Sequence, residues 1–177
     1  VVVAVFIQFA SPAARARLFE SVSSALEPGG LLIIEGYGLR QLRYRTEGMP
    51  TKAAVCHCRY CQTRTGSAFG VSAYFPTGKV QITGKAQDYR FTTESGRAFT
   101  THFCPTCGTN VLWSLEMSPD LIGIAAGTFD PPTFWFPISR EIFTRSAAPF
   151  IHTDLPEKSE TTASYAPKAA DPAHLRG

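Results

Sequence analysis

Residues 55–62 read Val-Cys-His-Cys-Arg-Tyr-Cys-Gln and place three cysteines within six positions. Thiols so spaced do redox chemistry or hold a metal. In an extended segment, residues i and i+2 point to one side, so Cys56 and Cys58 can face one ion. The C-x-x-C step from Cys58 to Cys61 makes a tight turn that brings a third sulfur round to it. A second cluster, Phe-Cys-Pro-Thr-Cys-Gly-Thr, carries Cys104 and Cys107. Pro105 favours the turn between them, and Gly108 accepts the positive φ that closes it. This is the spacing of a zinc knuckle. Five cysteines are an odd number, and Cys56 and Cys58 stand too close to bridge without strain, so a disulfide framework is not expected. A reducing, cytoplasmic setting is expected, with the thiols used for a metal or for chemistry.

Two ligand sets fit these spacings. In one, Cys58, Cys61, Cys104 and Cys107 close a four-thiolate ribbon site, which is structural, and Cys56 is spare. In the other, Cys56, Cys58 and Cys61 share a Zn²⁺ whose fourth position is open, which suits catalysis, and Cys104 and Cys107 belong to a different site. Spacing alone does not separate them, although Cys56 has no purpose in the ribbon.

The chain of 177 residues is long enough to bury one core. It is 44% hydrophobic and 18% charged, with a formal net charge of +3 and no basic run, so nucleic-acid binding is not suggested. The longest apolar runs, residues 1–7 and 31–34, are too short to span a bilayer. No charged n-region or cleavage site precedes the first run, so a secretory leader is not expected.

The elements that must carry the cysteines change texture along the chain. Residues 1–7 read as a buried strand, and Ser11-Pro12 as the N-cap and first position of a helix. That helix has an apolar stripe at Leu18, Val22 and Leu26 and a stop at residues 27–30. Residues 31–36 read as a second strand, giving a strand–helix–strand unit over 1–42. From Arg43 to about 152 the pattern is short strands between turn residues. The predicted strands are 67–75, 79–83, 88–92, 98–103, 110–115, 121–126 and 138–143. This part reads as mainly β, built from small antiparallel sheets. Residues 153–177 are polar and rich in Pro, Ala, Ser and Thr, and read as a disordered tail.

The blocks C-H-C-R-Y-C-Q-T-R-T-G-S-A-F, F-C-P-T-C-G-T-N-V, G-T-F-D and E-I-F-T-R-S-A-A-P-F resemble the glutathione-dependent formaldehyde-activating enzyme family, which includes the centromere protein V-like proteins. The resemblance covers residues 43–152. It implies an Mss4-like zinc fold with two zinc sites, Cys56, Cys58 and Cys61 holding the catalytic-type ion and Cys104 and Cys107 half of a structural one. It also implies carbon–sulfur lyase chemistry, in which a thiol such as glutathione adds to formaldehyde or a related small aldehyde as an S-hydroxymethylglutathione synthase does. The alternative within the family is a non-catalytic zinc-stabilised binding module. The family's upstream G-C-x-C-G-x-V-R-Y motif, which completes the structural site, is broken: aligning on Arg43-Tyr44 puts Tyr37 and Leu39 where its cysteines belong. Residues 1–42 instead resemble the C-terminal half of a class I S-adenosylmethionine-dependent methyltransferase, without that family's Gly-rich cofactor loop.

Other side chains have humbler expectations. His57, between two ligands, should point away from the metal and pack. His102 lies on the same strand side as Cys104 and is a candidate substitute ligand. Arg59 and Arg64 flank the thiolates and could meet the carboxylates of a peptide-like thiol, or be solvated. Phe69, Tyr74, Phe75, Trp113, Phe129, Phe134, Trp135 and Phe136 read as core or pocket wall.

Overall fold

A computed structural model describes residues 2–5, 11–25, 32–35, 42–130 and 133–168. The chain divides into two compact units, Val1–Arg40 and Gln41–Gly177. In the first, β1 (Val2–Val5) pairs in parallel with β2 (Leu32–Glu35), and α1 (Pro12–Ala25) lies between them in sequence. Ser11 caps α1, its Oγ accepting the Ala14 N–H at 3.2 Å. The helix stop at 27–30 and the positions of Tyr37 and Leu39 lie outside the described residues.

The second unit contains β3 (Arg43–Thr46), β4 (Lys52–Cys56), α2 (Arg59–Thr65), β5 (Gly70–Pro76), β6 (Val80–Thr83) and β7 (Gln87–Thr92). It continues with β8 (Ala98–Phe103), β9 (Asn110–Leu115), β10 (Leu121–Ala125), β11 (Arg140–Ile142) and β12 (Glu157–Ser159). The unit is mainly β, as expected, but the strands are not divided among small sheets. Eight of them form one sheet in the order β12-β11-β4-β5-β10-β9-β8-β7, and β3 and β6 make a two-stranded ribbon. Nor is the large sheet wholly antiparallel: β11 runs parallel to both β4 and β12.

One face of the large sheet carries the core. Ala53, Ala73, Ile124 and Leu112 occupy one register row across β4, β5, β10 and β9, and Phe75, Val111, Cys104 and Phe136 join them in one buried cluster. Strand alternation sends their neighbours to the other face. There Lys52, Tyr74, Gly123, Trp113, Thr101 and Tyr89 form a second row across six strands.

The expectation of a disordered tail from Thr153 is corrected. β12 extends the sheet edge through its backbone, pairing Arg140–Ile142 with Glu157–Ser159. Beyond it, the chain returns to the loop between β7 and β8. The Ala166 N–H donates to Ser95 Oγ at 3.0 Å, and the Lys168 N–H donates to the Glu94 carbonyl at 3.0 Å. Backbone pairing needs no apolar side chain, which is how a polar segment joins the fold. Residues 169–177 lie outside the described ones.

Candidate metal centre

β4 ends at Cys56, and strand alternation there sets where the neighbouring side chains point. Cys56 faces the row-bearing side of the sheet opposite Gly70, and His57 turns the other way. Cys58 is the N-cap of α2, in extended conformation, and its carbonyl accepts the first helical hydrogen bond from the Gln62 N–H at 3.0 Å. One turn of helix then brings Cys61 back. The three Sγ atoms lie within 4.8 Å of one another. Gly66, with φ of 63°, ends the helix in the left-handed conformation that glycine tolerates best. Gln62 ties the helix down by donating Nε2 hydrogens to the carbonyls of Ala68 (3.3 Å) and Ser146 (3.2 Å).

The sulfurs are shielded. Cys56 and Cys58 are buried with Phe143, and Tyr60 and Tyr165 pack against them. Phe143 takes a φ of 57°, costly for an aromatic residue at roughly 1–3 kcal/mol, and so brings its ring against Tyr165 at 5.3 Å. Arg145 holds Tyr165 in turn, donating to its hydroxyl at 3.1 Å. The polar tail thus supplies one wall of the site.

Crowding three thiols splits their acidities. Hydrogen bonds from Cys56 and Cys58, with the charge of Arg64 beside it, hold Cys61 well below the ordinary thiol range. The same bonds and burial push Cys56 well above it. Cys58 rises to about 12: its bond with Cys56 favours the thiolate, but Cys61 and burial outweigh it. The first proton leaves easily and the next ones do not, because buried negative charges repel. A divalent cation is what allows all three to ionise together. Three soft donors, two buried and one half-buried, with no carboxylate among them therefore fit a metal of the zinc class.

Cys104 and Cys107 do not join this group, so the four-thiolate ribbon of Cys58, Cys61, Cys104 and Cys107 is absent from the structure. Their own turn forms as the sequence implies: the Gly108 N–H donates to the Cys104 carbonyl at 2.8 Å, with φ of 69° at Gly108. Cys104 is fully buried, whereas Cys107 is exposed, its Sγ 3.2 Å from Thr109 Oγ1. None of the five cysteines forms a disulfide. The suggestion that His102 substitutes for a missing ligand is corrected. Its Nδ1 meets Asp88 Oδ1 at 2.7 Å and its Nε2 meets Ser114 Oγ at 3.2 Å, so both nitrogens are engaged across β7, β8 and β9.

Three features around the site escaped the sequence. His57 is fully buried, and its Nε2 meets Glu141 Oε1 at 2.8 Å; the other carboxylate oxygen takes Thr153 (2.6 Å) and Lys158 (2.9 Å). Burial alone would raise the Glu141 carboxyl, but these three bonds override it and hold the group at about 2. This buried acid joins the metal loop to β11 and β12. Second, Arg64 lies over Trp113, its guanidinium carbon 4.0 Å from the ring centre, with Nη2 3.9 Å from Cys61 Sγ. Gly123 makes room for that ring: a Cβ there would collide with Trp113 Nε1. Third, Trp113 Nε1 donates to the hydroxyl of Tyr74 at 3.4 Å. Burial first, then the negative charge of Cys61, keeps the Tyr74 phenol protonated far above its ordinary range. Alternation in C-H-C hinted at the first of these and the place of Arg64 three residues after Cys61 at part of the second; nothing local hinted at the Trp113 contacts.

Residues 40–146 match the model of a family described as glutathione-dependent formaldehyde-activating enzyme. Three solved chains match. One is the crystal structure of a Rhodobacter sphaeroides protein, 18% identical, with a TM-score of 0.42, covering 51% of this chain and 82% of that one. No curated protein matches. The comparisons lend no support to a methyltransferase fragment in residues 1–42. Among the described residues, no helix is long and apolar enough to cross a membrane.

Proposed function

Since the chain belongs to the glutathione-dependent formaldehyde-activating enzyme family, we propose that Cys56, Cys58 and Cys61 hold a zinc ion and that the site adds a thiol of the glutathione kind to formaldehyde or a related small aldehyde. The observation that carries this reading is the incomplete donor set. Three sulfurs converge, and among the described residues no fourth Cys, His, Asp or Glu joins them. Structural zinc sites close with four protein ligands, whereas catalytic ones keep a position for substrate. Zinc bound there supplies the Lewis acidity that brings an incoming thiol into its thiolate form near neutral pH.

The reaction is an addition. A sulfur–carbon bond forms, the carbonyl π bond opens, and the thiol proton ends on the former carbonyl oxygen. Nothing is oxidised or reduced, so no redox cofactor is called for. The chain's own groups do the rest. Phe143, Tyr60 and Tyr165 give the site an apolar wall beside Cys56 and Cys58. Tyr74 keeps its proton on Oη, and because Oη receives the Trp113 N–H, its hydrogen is left to donate elsewhere. Cys104 and Cys107, with no thiolates at Tyr37 and Leu39 to complete a second site, would hold zinc weakly, so about one tightly bound zinc per chain is proposed.

The test is the exchange of ¹³C-formaldehyde with glutathione, followed by magnetisation-transfer NMR. Zinc-loaded protein at catalytic concentration should speed interconversion of free aldehyde and hydroxymethyl thioether beyond the uncatalysed rate. Chelator-stripped protein should not. Equal rates with and without the loaded protein would contradict the proposal.

A further inference from the structure

Arg64 is placed as few surface arginines are. It is part-exposed, three residues beyond Cys61 on α2, with its guanidinium laid on the buried Trp113 ring and one edge toward the Cys61 sulfur. Among the described residues no carboxylate pairs with it, although three other Lys or Arg side chains in the same unit meet carboxylates. The ring contact holds the guanidinium in place by cation–π attraction and leaves N–H groups for a partner of matching geometry. The sheet is shaped around this arrangement. Gly123 has no side chain where Trp113 must lie, and a Cβ on Gly70 would stand 2.8 Å from Arg64 Nη2 and 3.2 Å from Cys61 Cβ. Lys52 stands at the other end of the same face, its Nζ 4.7 Å from the Tyr74 ring centre, also without a carboxylate partner among the described residues. It lies four residues before Cys56 on β4, hence roughly 13 Å along the strand.

We propose that Arg64 is a specificity-determining residue that receives a carboxylate of the incoming thiol, with Lys52 as a second anionic subsite farther along the sheet, so that the site selects short peptide-like thiols bearing carboxylates over neutral thiols. The inference rests on the reading that the three-cysteine centre accepts an exogenous thiol, and it adds the determinant of choice. A carboxylate bound at Arg64 sits beside the sulfur position, and one near Lys52 belongs to an extended molecule lying along β4. A neutral thiol engages neither cation.

The full chain loaded with cobalt(II) in place of zinc reports thiol binding through its visible absorption, independently of turnover. The wild type should bind glutathione more tightly than 2-mercaptoethanol. Arg64→Gln, measured on the metal-loaded protein, should weaken glutathione roughly 10- to 100-fold, as expected for losing a charge-assisted hydrogen bond, and weaken 2-mercaptoethanol far less. The dimethyl ester of glutathione, which lacks both carboxylate charges, should show at least that loss on the unaltered protein, which keeps the test decisive whatever metal the glutamine variant holds. Equal affinity of glutathione and its diester, or a Gln variant that weakens both thiols alike, overturns this proposal alone. No spectral response to any thiol overturns the open-position reading and this proposal together.

Discussion

Replacing Cys58 with serine should strip the metal from the centre and leave the surrounding structure in place. Cys58 serves twice, as one of three converging sulfurs and as N-cap of α2, where it makes no side-chain capping bond. Serine is a preferred N-cap residue, worth about 1 kcal/mol over a non-capping side chain, so α2 should form at least as well. What is lost is a soft anionic donor, which a hydroxyl does not replace. Removing even an outer-sphere partner of a metal ligand costs up to ~100-fold in affinity, and removing the ligand itself should exceed that. Native mass spectrometry and competition with a chromophoric chelator should show the variant near metal-free under conditions where the wild type holds about one zinc. Circular dichroism should show retained strand content. Undiminished zinc affinity would remove Cys58 from the ligand set.

Glu141→Ala should be the most destabilising single change outside the cysteines. The carboxylate is buried and takes bonds from His57, Thr153 and Lys158, joining the metal loop to β11, β12 and the segment between them. Removing one partner of a buried, paired charge typically costs about 3–5 kcal/mol, because the groups left behind keep the penalty of burial without the bond. His57 would suffer most, since its Nδ1 already lacks a partner among the described atoms. The sign of the pH dependence comes from the lowered carboxyl, at about 2 against an ordinary 4.5. A depressed carboxyl contributes stability that is fully present above 4.5 and is lost as pH falls toward 2. The stability gap between wild type and variant, by urea denaturation, should therefore be full at neutral pH and shrink across that acid window. Metal loss in acid affects both proteins and cancels in the difference. A neutral-pH gap below about 1 kcal/mol, or one that grows in acid, would contradict this assignment.

The grouping of the cysteines was legible because it is local. A C-x-C step in a strand and a C-x-x-C turn fix where sulfurs point within a few residues, and the structure gathers Cys56, Cys58 and Cys61 as those rules require. Strands that are regular and bounded by turn residues were equally open to reading: β8 and β9 fall on the expected residues. Legibility failed where position depends on distant partners. α2 has seven residues and buries none fully, so it shows no apolar stripe. β12 is exposed along its length and held by backbone bonds and by Lys158 on Glu141, so its sequence looks like a solvated tail. Glu141 looks like a surface acid until β11 is inserted between β4 and β12. The row that brings Lys52, Tyr74, Gly123 and Trp113 together exists only through register across four strands, and short strands with turns between them do not disclose their order. The same non-locality turned the expected small sheets into one of eight strands.

In the proposed centre, three protein sulfurs hold the metal and a fourth position is kept for a thiol from outside. Zinc K-edge X-ray absorption on the Cys107→Ser variant, which removes the exposed sulfur of the knuckle, tests it directly. Three sulfurs at ~2.3 Å and one lighter atom are expected in the protein alone, with the sulfur count rising to four when glutathione is added. Four sulfurs before any thiol is added, or three that stay three at saturating glutathione, would contradict it.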